Sequence, residues 1–211
     1  DDEIIHVIPS SYSIDSKSNV IDPIGLYSHR LEVDLYLVSA RLSSLQSLRR
    51  AVSQSGYEIR NLSFSGLATS KAVFGKEEKQ GLSVFCDVGS DVTELLIFKD
   101  GLLQDIQILP LGGVSLTQQL CEGLKINYEL AEDIKRSYGV IGDANNIPED
   151  KEILVKKDEF YKPIKQREVA QMVSNSGRLI CTQIKEIVER KVALHEIDHY
   201  IMVGKTLLTE G

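Results

Sequence analysis

The chain has 211 residues, 42% hydrophobic and 26% charged, with a formal net charge of −7. This is the composition of a folded globular chain of one large or two small domains, which excludes wholesale disorder; the acidic balance argues against nucleic-acid binding, which usually needs a basic face. No apolar run approaches the ~20 residues of a bilayer span, no basic-then-apolar leader opens the chain, and Cys86, Cys121 and Cys181, odd in number and without metal-ligand spacing, read as reduced thiols of a cytosolic protein.

Residues 3–9 carry Ile4, Ile5, Val7 and Ile8 and predict a strand, followed by a polar, turn-rich stretch over 10–22. Residues 31–38 alternate, with Leu31, Val33, Leu35 and Leu37 on one side, which predicts a strand with that side buried. Residues 43–55 predict a helix through Leu45, Leu48 and Val52, stopped by Gly56, and residues 57–64 another strand. A short apolar helix over 66–74 and a charged linker over 75–80 come next. Residues 82–87 are almost wholly apolar, as in a strand buried on both faces. Residues 92–98 and 102–109, joined by Lys99-Asp100-Gly101, form a hairpin. Gly112 and Gly113 open a helix reaching about 123, and residues 128–138 form another, stopped by Gly139. Short strand candidates lie at 153–155. A long helix spans 167–191, with Val169, Met172, Val173, Leu179, Ile180, Ile184 and Ile187 as its stripe and Gly177 as its weak point. Residues 200–203 are a last strand, and a further element starts at Thr206.

Three local patterns point to chemistry. In Asp87-Val88-Gly89-Ser90-Asp91-Val92-Thr93 an acidic residue ends a buried strand and Gly89 makes a tight turn, which can aim amides at phosphate. Asp87 is placed to hold Mg²⁺ through water, and Thr93 to donate to a phosphate oxygen; the same letters also describe an ordinary hairpin turn. Glu132 and Lys135, three apart, share a helix face; they can meet ribose hydroxyls with Arg136 stacking on a base, or form a plain solvated ion pair. Gly204 follows a buried strand, where backbone can approach a ligand closely or simply turn. His195-Glu196-Ile197-Asp198-His199 matches a zinc pattern by its letters, but the strand starting at Tyr200 places it at a helix end or loop rather than on one helical face.

The order of these patterns is that of the actin-like ATPases. Within them, Ile5-His6-Val7-Ile8-Pro9, Tyr12, Asp15, Asp22-Pro23-Ile24-Gly25-Leu26 and Arg30-Leu31-Glu32 resemble the inserted-subdomain segment of the bacterial cell-division FtsA family. Ala68-Thr69-Ser70-Lys71-Ala72-Val73 resembles that family's following helix, and Ala131-Glu132-Asp133-Ile134-Lys135 with Tyr138-Gly139 its Glu-x-x-Lys helix. The resemblance implies an α/β, actin-like (ribonuclease H-like) ATPase fold with the FtsA-type inserted subdomain. It divides the chain into an inserted interaction subdomain at 1–64, helix and linker of the first ATPase half at 65–80, a second sheet domain at 81–138 and 200–211, and a small cap at 139–199.

The resemblance further implies ATP and Mg²⁺ as ligands, with Asp87 (also toward the metal), Gly89, Thr93, Gly113, Glu132, Lys135, Arg136 and Gly204 in the binding site, and at most a weak ATPase activity. It implies self-association into filaments, and FtsZ and other divisome proteins as partners. The location would be cytoplasmic, at the inner face of the cell membrane at the division septum. The N-terminal ATPase strands, first phosphate loop and C-terminal membrane helix of such proteins would fall outside this chain. Two positions depart from the pattern: Asp91 stands where glycine is common, and Lys205 replaces the second glycine of the adenosine turn at 204–211. A PilM-like pilus-assembly protein, an MreB-like filament protein and a sugar-kinase-type hydrolase are the alternatives; the inserted-subdomain motif separates FtsA from them.

Overall fold

The first strand, β1 (Asp2–Ile14), runs beyond the predicted 3–9 because Tyr12 and Ile14 alternate with Ser11 and Ser13 and continue the ladder. Coordinates come from a computed structural model, which describes residues 1–157 and 160–208. The cap residues 158–159 and the last residues of the predicted adenosine turn, 209–211, lie outside the described residues. A turn at Asp15, whose φ is +51°, leads into β2 (Lys17–Val20), which the polar composition had hidden. The Asp15 carboxylate accepts the amides of His29 and Arg30 at 3.0 and 2.9 Å, fixing the loop that enters β3 (Leu31–Arg41). The sheet order is β2-β1-β3, antiparallel throughout.

The expected burial of the apolar side of β3 is not found. Leu31, Val33, Leu35 and Leu37 are 56%, 43%, 45% and 59% exposed. The intervening Tyr36 and Val38 are half-buried instead, and the Tyr36 hydroxyl donates to the Gln104 carbonyl. Directly opposite residues of an antiparallel pair share a face. The exposed row therefore continues across β1 through Leu37↔Val7, with Val7 56% exposed.

α1 (Leu42–Gln54) buries Leu45 but leaves Leu48 exposed, and Arg49 forks onto Glu3 at 2.8 and 2.6 Å. The strand predicted over 57–64 is absent: the segment has no ladder partner among the described residues. Its end is held by the Phe64 amide donating to His6 Nε2 at 3.0 Å, just before α2 (Ser65–Val73).

β4 (Leu82–Val88), β5 (Thr93–Lys99), β6 (Leu102–Leu109) and β9 (His199–Val203) form a sheet of order β6-β5-β4-β9. Residues 82–86 are buried without alternation, as their nearly continuous apolar run requires, with the Ser83 hydroxyl donating to the Glu78 carbonyl at 2.7 Å, and Phe74 meets Phe85 and Phe98 edge-on at 6.0 and 5.0 Å. Asp100 and Gly101, at φ +51° and +78°, make the left-handed two-residue turn that Asp-Gly favours. Helices α3 (Gly113–Leu124) and α4 (Tyr128–Tyr138) follow, the latter capped by the Asn127 side chain accepting the Leu130 amide at 2.9 Å. The hairpin β7 (Glu152–Lys157) and β8 (Phe160–Lys165) leads into α5 (Gln166–Lys191). α5 is continuous through Gly177, where a Cβ would lie 3.1 Å from Ile141, so the glycine serves close packing rather than a break. Leu179, expected in its apolar stripe, is 54% exposed.

The chain divides into two compact units. Unit 1 comprises Asp1–Phe85, Leu96–Ile106 and Asp198–Tyr200, and unit 2 comprises Cys86–Leu95, Gln107–Ile197 and Ile201–Gly211. No helix among the described residues is long and apolar enough to cross a membrane.

Candidate functional site

Unit 2 holds a cavity of about 770 Å³, within the range of small-ligand sites. Its wall comes from the end of β4 and the loop after it (Asp87, Gly89, Ser90), the start of α3 (Gly113), α4 and its C-cap (Glu132, Lys135, Arg136, Ser137, Gly139) and the turn after β9 (Gly204, Lys205, Thr206). Residues spread over more than a hundred positions meet there because β4 and β9 are neighbours and α3 packs on α4. Of the predicted residues, Asp87, Gly89, Gly113, Glu132, Lys135, Arg136 and Gly204 line this space. Thr93 does not: it is fully buried, and its hydroxyl donates to the Leu111 carbonyl at 2.8 Å. Asp91 is exposed and lines no part of the cavity, whereas Lys205, the other departure from the family pattern, does.

Two glycines set how closely the backbone can approach. Gly204 has φ +116°, and a Cβ there would sit 2.7 Å from the Val88 carbonyl carbon and 2.9 Å from its nitrogen. Gly112 admits the β4–β5 loop, since a Cβ would lie 2.5 Å from the carbonyl oxygens of both Gly89 and Ser90. Those same carbonyls accept the Gly113 and Val114 amides at 3.0 and 2.8 Å, and the Gly89 amide donates to Val92 at 3.0 Å. The N-terminus of α3 is therefore tied to the loop, and these three amides are already engaged. The Thr206 hydroxyl adds a donor to the Gly89 carbonyl at 2.8 Å. The carboxylate of Asp87, a half-exposed residue, has no hydrogen-bond or ion-pair partner among the described residues, and neither has the Lys205 ammonium.

The strongest electrostatics lie between α3 and α4. Burial alone would push the Glu132 carboxyl up. Hydrogen bonds from Lys135 at 2.6 Å, Thr117 at 2.5 Å and Arg136 at 2.9 Å, with the Lys135 charge, more than offset this and hold it at about 2. Lys135 also donates to Thr117 Oγ1 at 2.8 Å and to the Gly113 carbonyl at 3.1 Å. Thr117 was missed in the sequence. Its signal is a hydroxyl on the otherwise apolar buried face of α3, between Leu116 and Leu120, where an unpaired polar group would be costly.

The zinc-like letters do not assemble: His195 sits in the 3₁₀ turn Leu194–Glu196 and His199 in β9. No cluster of three metal-ligating side chains occurs among the described residues. A lone carboxylate such as Asp87 suits a hydrated Mg²⁺ held jointly with phosphate oxygens, since that ion keeps most of its water. The Glu132 acceptor and the cavity volume suit a nucleoside phosphate. The cysteines are free thiols, and burial pushes Cys86 up to about 12.

A family model described as cell division protein FtsA matches residues 84–207, and one described as the SHS2 domain inserted in FtsA matches residues 1–39. The cell division protein FtsA of Buchnera aphidicola subsp. Schizaphis graminum is 30% identical over 99% of the chain and 50% of the relative. Other curated FtsA relatives are matched over smaller shares of their length, so the chain spans about half or less of the proteins it resembles. Among solved structures, the PilM-PilN type IV pilus biogenesis complex aligns with TM-score 0.68 at 13% identity, over 97% of this chain and 51% of that one. MreB5 of Spiroplasma citri bound to ADP aligns with TM-score 0.63 at 14% identity, over 81% and 56%. At such identities these likenesses establish the actin-like fold and nothing finer.

Proposed function

The chain belongs to the FtsA family of cell-division proteins, and we propose that the protein is an actin-like scaffold that binds ATP with Mg²⁺, self-associates and links FtsZ filaments to the membrane at the division septum. The observation that carries the nucleotide part is the convergence of Asp87, Glu132, Arg136 and Gly204 on one cavity. Asp87 would hold hydrated Mg²⁺ against the phosphates, with Lys205 as a free cation nearby. Glu132 and Arg136 would take the nucleoside. The membrane contact would belong to parts of the protein outside this chain. The test is calorimetry on the intact protein: Asp87→Ala should weaken ATP binding about tenfold or more with Mg²⁺ present and leave Mg²⁺-free binding nearly unchanged. Equal affinities with Mg²⁺ would remove Asp87 from the metal site.

Residues 1–64 would be the interaction subdomain, toward other copies and divisome proteins. The exposed row Leu31, Val33, Leu35 and Leu37 supports this, since contiguous exposed apolar surface marks contact sites. Leu35→Glu is expected to reduce filament formation, read by pelleting, while ATP affinity stays as in wild type. Undiminished pelleting would count against this face.

A further inference from the structure

Counting donors and acceptors around Glu132 separates residues that can meet a ligand from those that cannot. The Lys135 ammonium has three donors, and three acceptors surround it: Glu132 Oε2 at 2.6 Å, Thr117 Oγ1 at 2.8 Å and the Gly113 carbonyl at 3.1 Å. Its side chain is only 12% exposed. Nothing is left with which to greet a ligand. Thr117 is fully buried and has one proton. Two acceptors compete for it, Glu132 Oε2 at 2.5 Å and the Gly113 carbonyl at 3.2 Å, and the shorter bond to the charged oxygen wins. Glu132 Oε2 is thus saturated from behind by two donors. Oε1 receives one bond, from Arg136 Nε at 2.9 Å, and so keeps acceptor capacity, on a residue that lines the cavity. Arg136 is itself 74% exposed and has its terminal amines to spare.

We propose that Lys135 and Thr117 are positioning residues, which do not touch the ligand but lock the Glu132 carboxylate so that one oxygen, Oε1, accepts a hydrogen bond from a sugar hydroxyl of the bound nucleotide. This rests on the nucleotide reading of the cavity given above. A carboxylate held by two donors on one oxygen cannot rotate to follow a ligand. The site therefore reads the presence of a hydroxyl, rather than adapting to its loss. Without the Thr117 hydroxyl, Oε2 loses its neutral donor, the carboxylate turns toward Lys135, and Oε1 leaves the place where it met the sugar. The helix pair α3–α4 keeps its apolar contacts, through Leu116, Leu120, Ala131 and Ile134, so the fold survives the change.

The test measures binding of ATP and of 2′,3′-dideoxy-ATP, each with Mg²⁺, to the intact protein as wild type, Thr117→Val and Thr117→Ser. The Glu132 carboxyl is titrated in each ligand-free protein by carbon-13 NMR. Wild type should prefer ATP about tenfold, the value of one hydrogen bond to a charged acceptor. Thr117→Val should bring that preference to within about twofold, with affinity for the dideoxy nucleotide unchanged and the Glu132 titration moved upward. Thr117→Ser, which restores the hydroxyl, should behave as wild type in both. A merely structural threonine would weaken both nucleotides together. Should Thr117→Val fail to fold, Lys135→Met decides by the same collapse of preference. A preference retained in the folded variant, or a wild type that binds both nucleotides equally, overturns the positioning role alone. A wild type that binds neither overturns the nucleotide reading and this proposal with it.

Discussion

Gly204→Ala should lower unfolding stability by on the order of 3 kcal/mol and abolish measurable nucleotide binding. At φ +116° an alanine pays a backbone strain that glycine does not. The new methyl would also lie 2.7 Å from the Val88 carbonyl carbon and 2.9 Å from its nitrogen. Those are backbone atoms in the interior of a sheet, so they cannot swing aside as a side-chain tip would. The turn must instead move off the end of β4, carrying Lys205 and Thr206 with it. Thr206 would lose its bond to the Gly89 carbonyl, now 2.8 Å, and the cavity wall would open where the β4–β5 loop forms it. Denaturant unfolding followed by circular dichroism reads the stability change, and calorimetry with MgATP reads the site. A variant with wild-type stability and affinity would show that Gly204 is an ordinary turn residue. The control is Gly56→Ala: its φ is +83°, but no atom lies within 4 Å of the added carbon, so only the strain contributes and the site is untouched.

The elements that read correctly from the sequence are those whose environment their own pattern dictates. The apolar run of β4, the Asp100-Gly101 hairpin and the α4 helix between Asn127 and Gly139 carry their start, face and stop within a few residues. β3 alternates just as clearly, yet its apolar side stays exposed from Leu31 to Leu37: period two says that the faces differ, not which one other residues cover. The segment 57–64 has strand-like composition but joins no ladder among the described residues, and pairing is not a local property. The site was legible as three separate fragments, because Asp87, Glu132 and Gly204 each carry a local oddity. Thr117 was not legible as a site residue, since its role depends on α4 arriving beside α3 with Glu132 and Lys135 at hydrogen-bond distance. The status of the loop amides was hidden for the same reason: a glycine turn advertises free N–H groups, and only the packed structure shows that Val92, Gly89 and Ser90 carbonyls consume them.

Acid should unravel the α3–α4 clasp before it reaches the apolar core, and Glu132→Gln should remove that sensitivity. The Glu132 carboxyl titrates near 4.5 when the chain is unfolded and at about 2 when folded. A folded value below the unfolded one means that the unfolded chain binds the proton more readily. The contribution of Glu132 to stability is therefore complete above about pH 5, shrinks as pH falls through 4.5, and is gone below about 2. Its size at neutral pH is on the order of 1–2 kcal/mol, the value of hydrogen bonds to a charged group reduced by the solvent that still reaches it. Glutamine keeps the length of the side chain but has no charge for Lys135 and offers an amide in place of one oxygen. Wild type should thus unfold at higher urea concentration than Glu132→Gln at pH 7, with the gap closing between pH 4.5 and 2. Lys135→Met should narrow the same gap from the other side, because it leaves the carboxylate with Thr117 and Arg136 as its remaining donors. Urea midpoints of the three proteins across that pH range decide the matter. A wild-type-to-glutamine gap that stays constant from pH 7 to 2 would mean that Glu132 titrates alike in the folded and unfolded chain and that the clasp does not hold its charge.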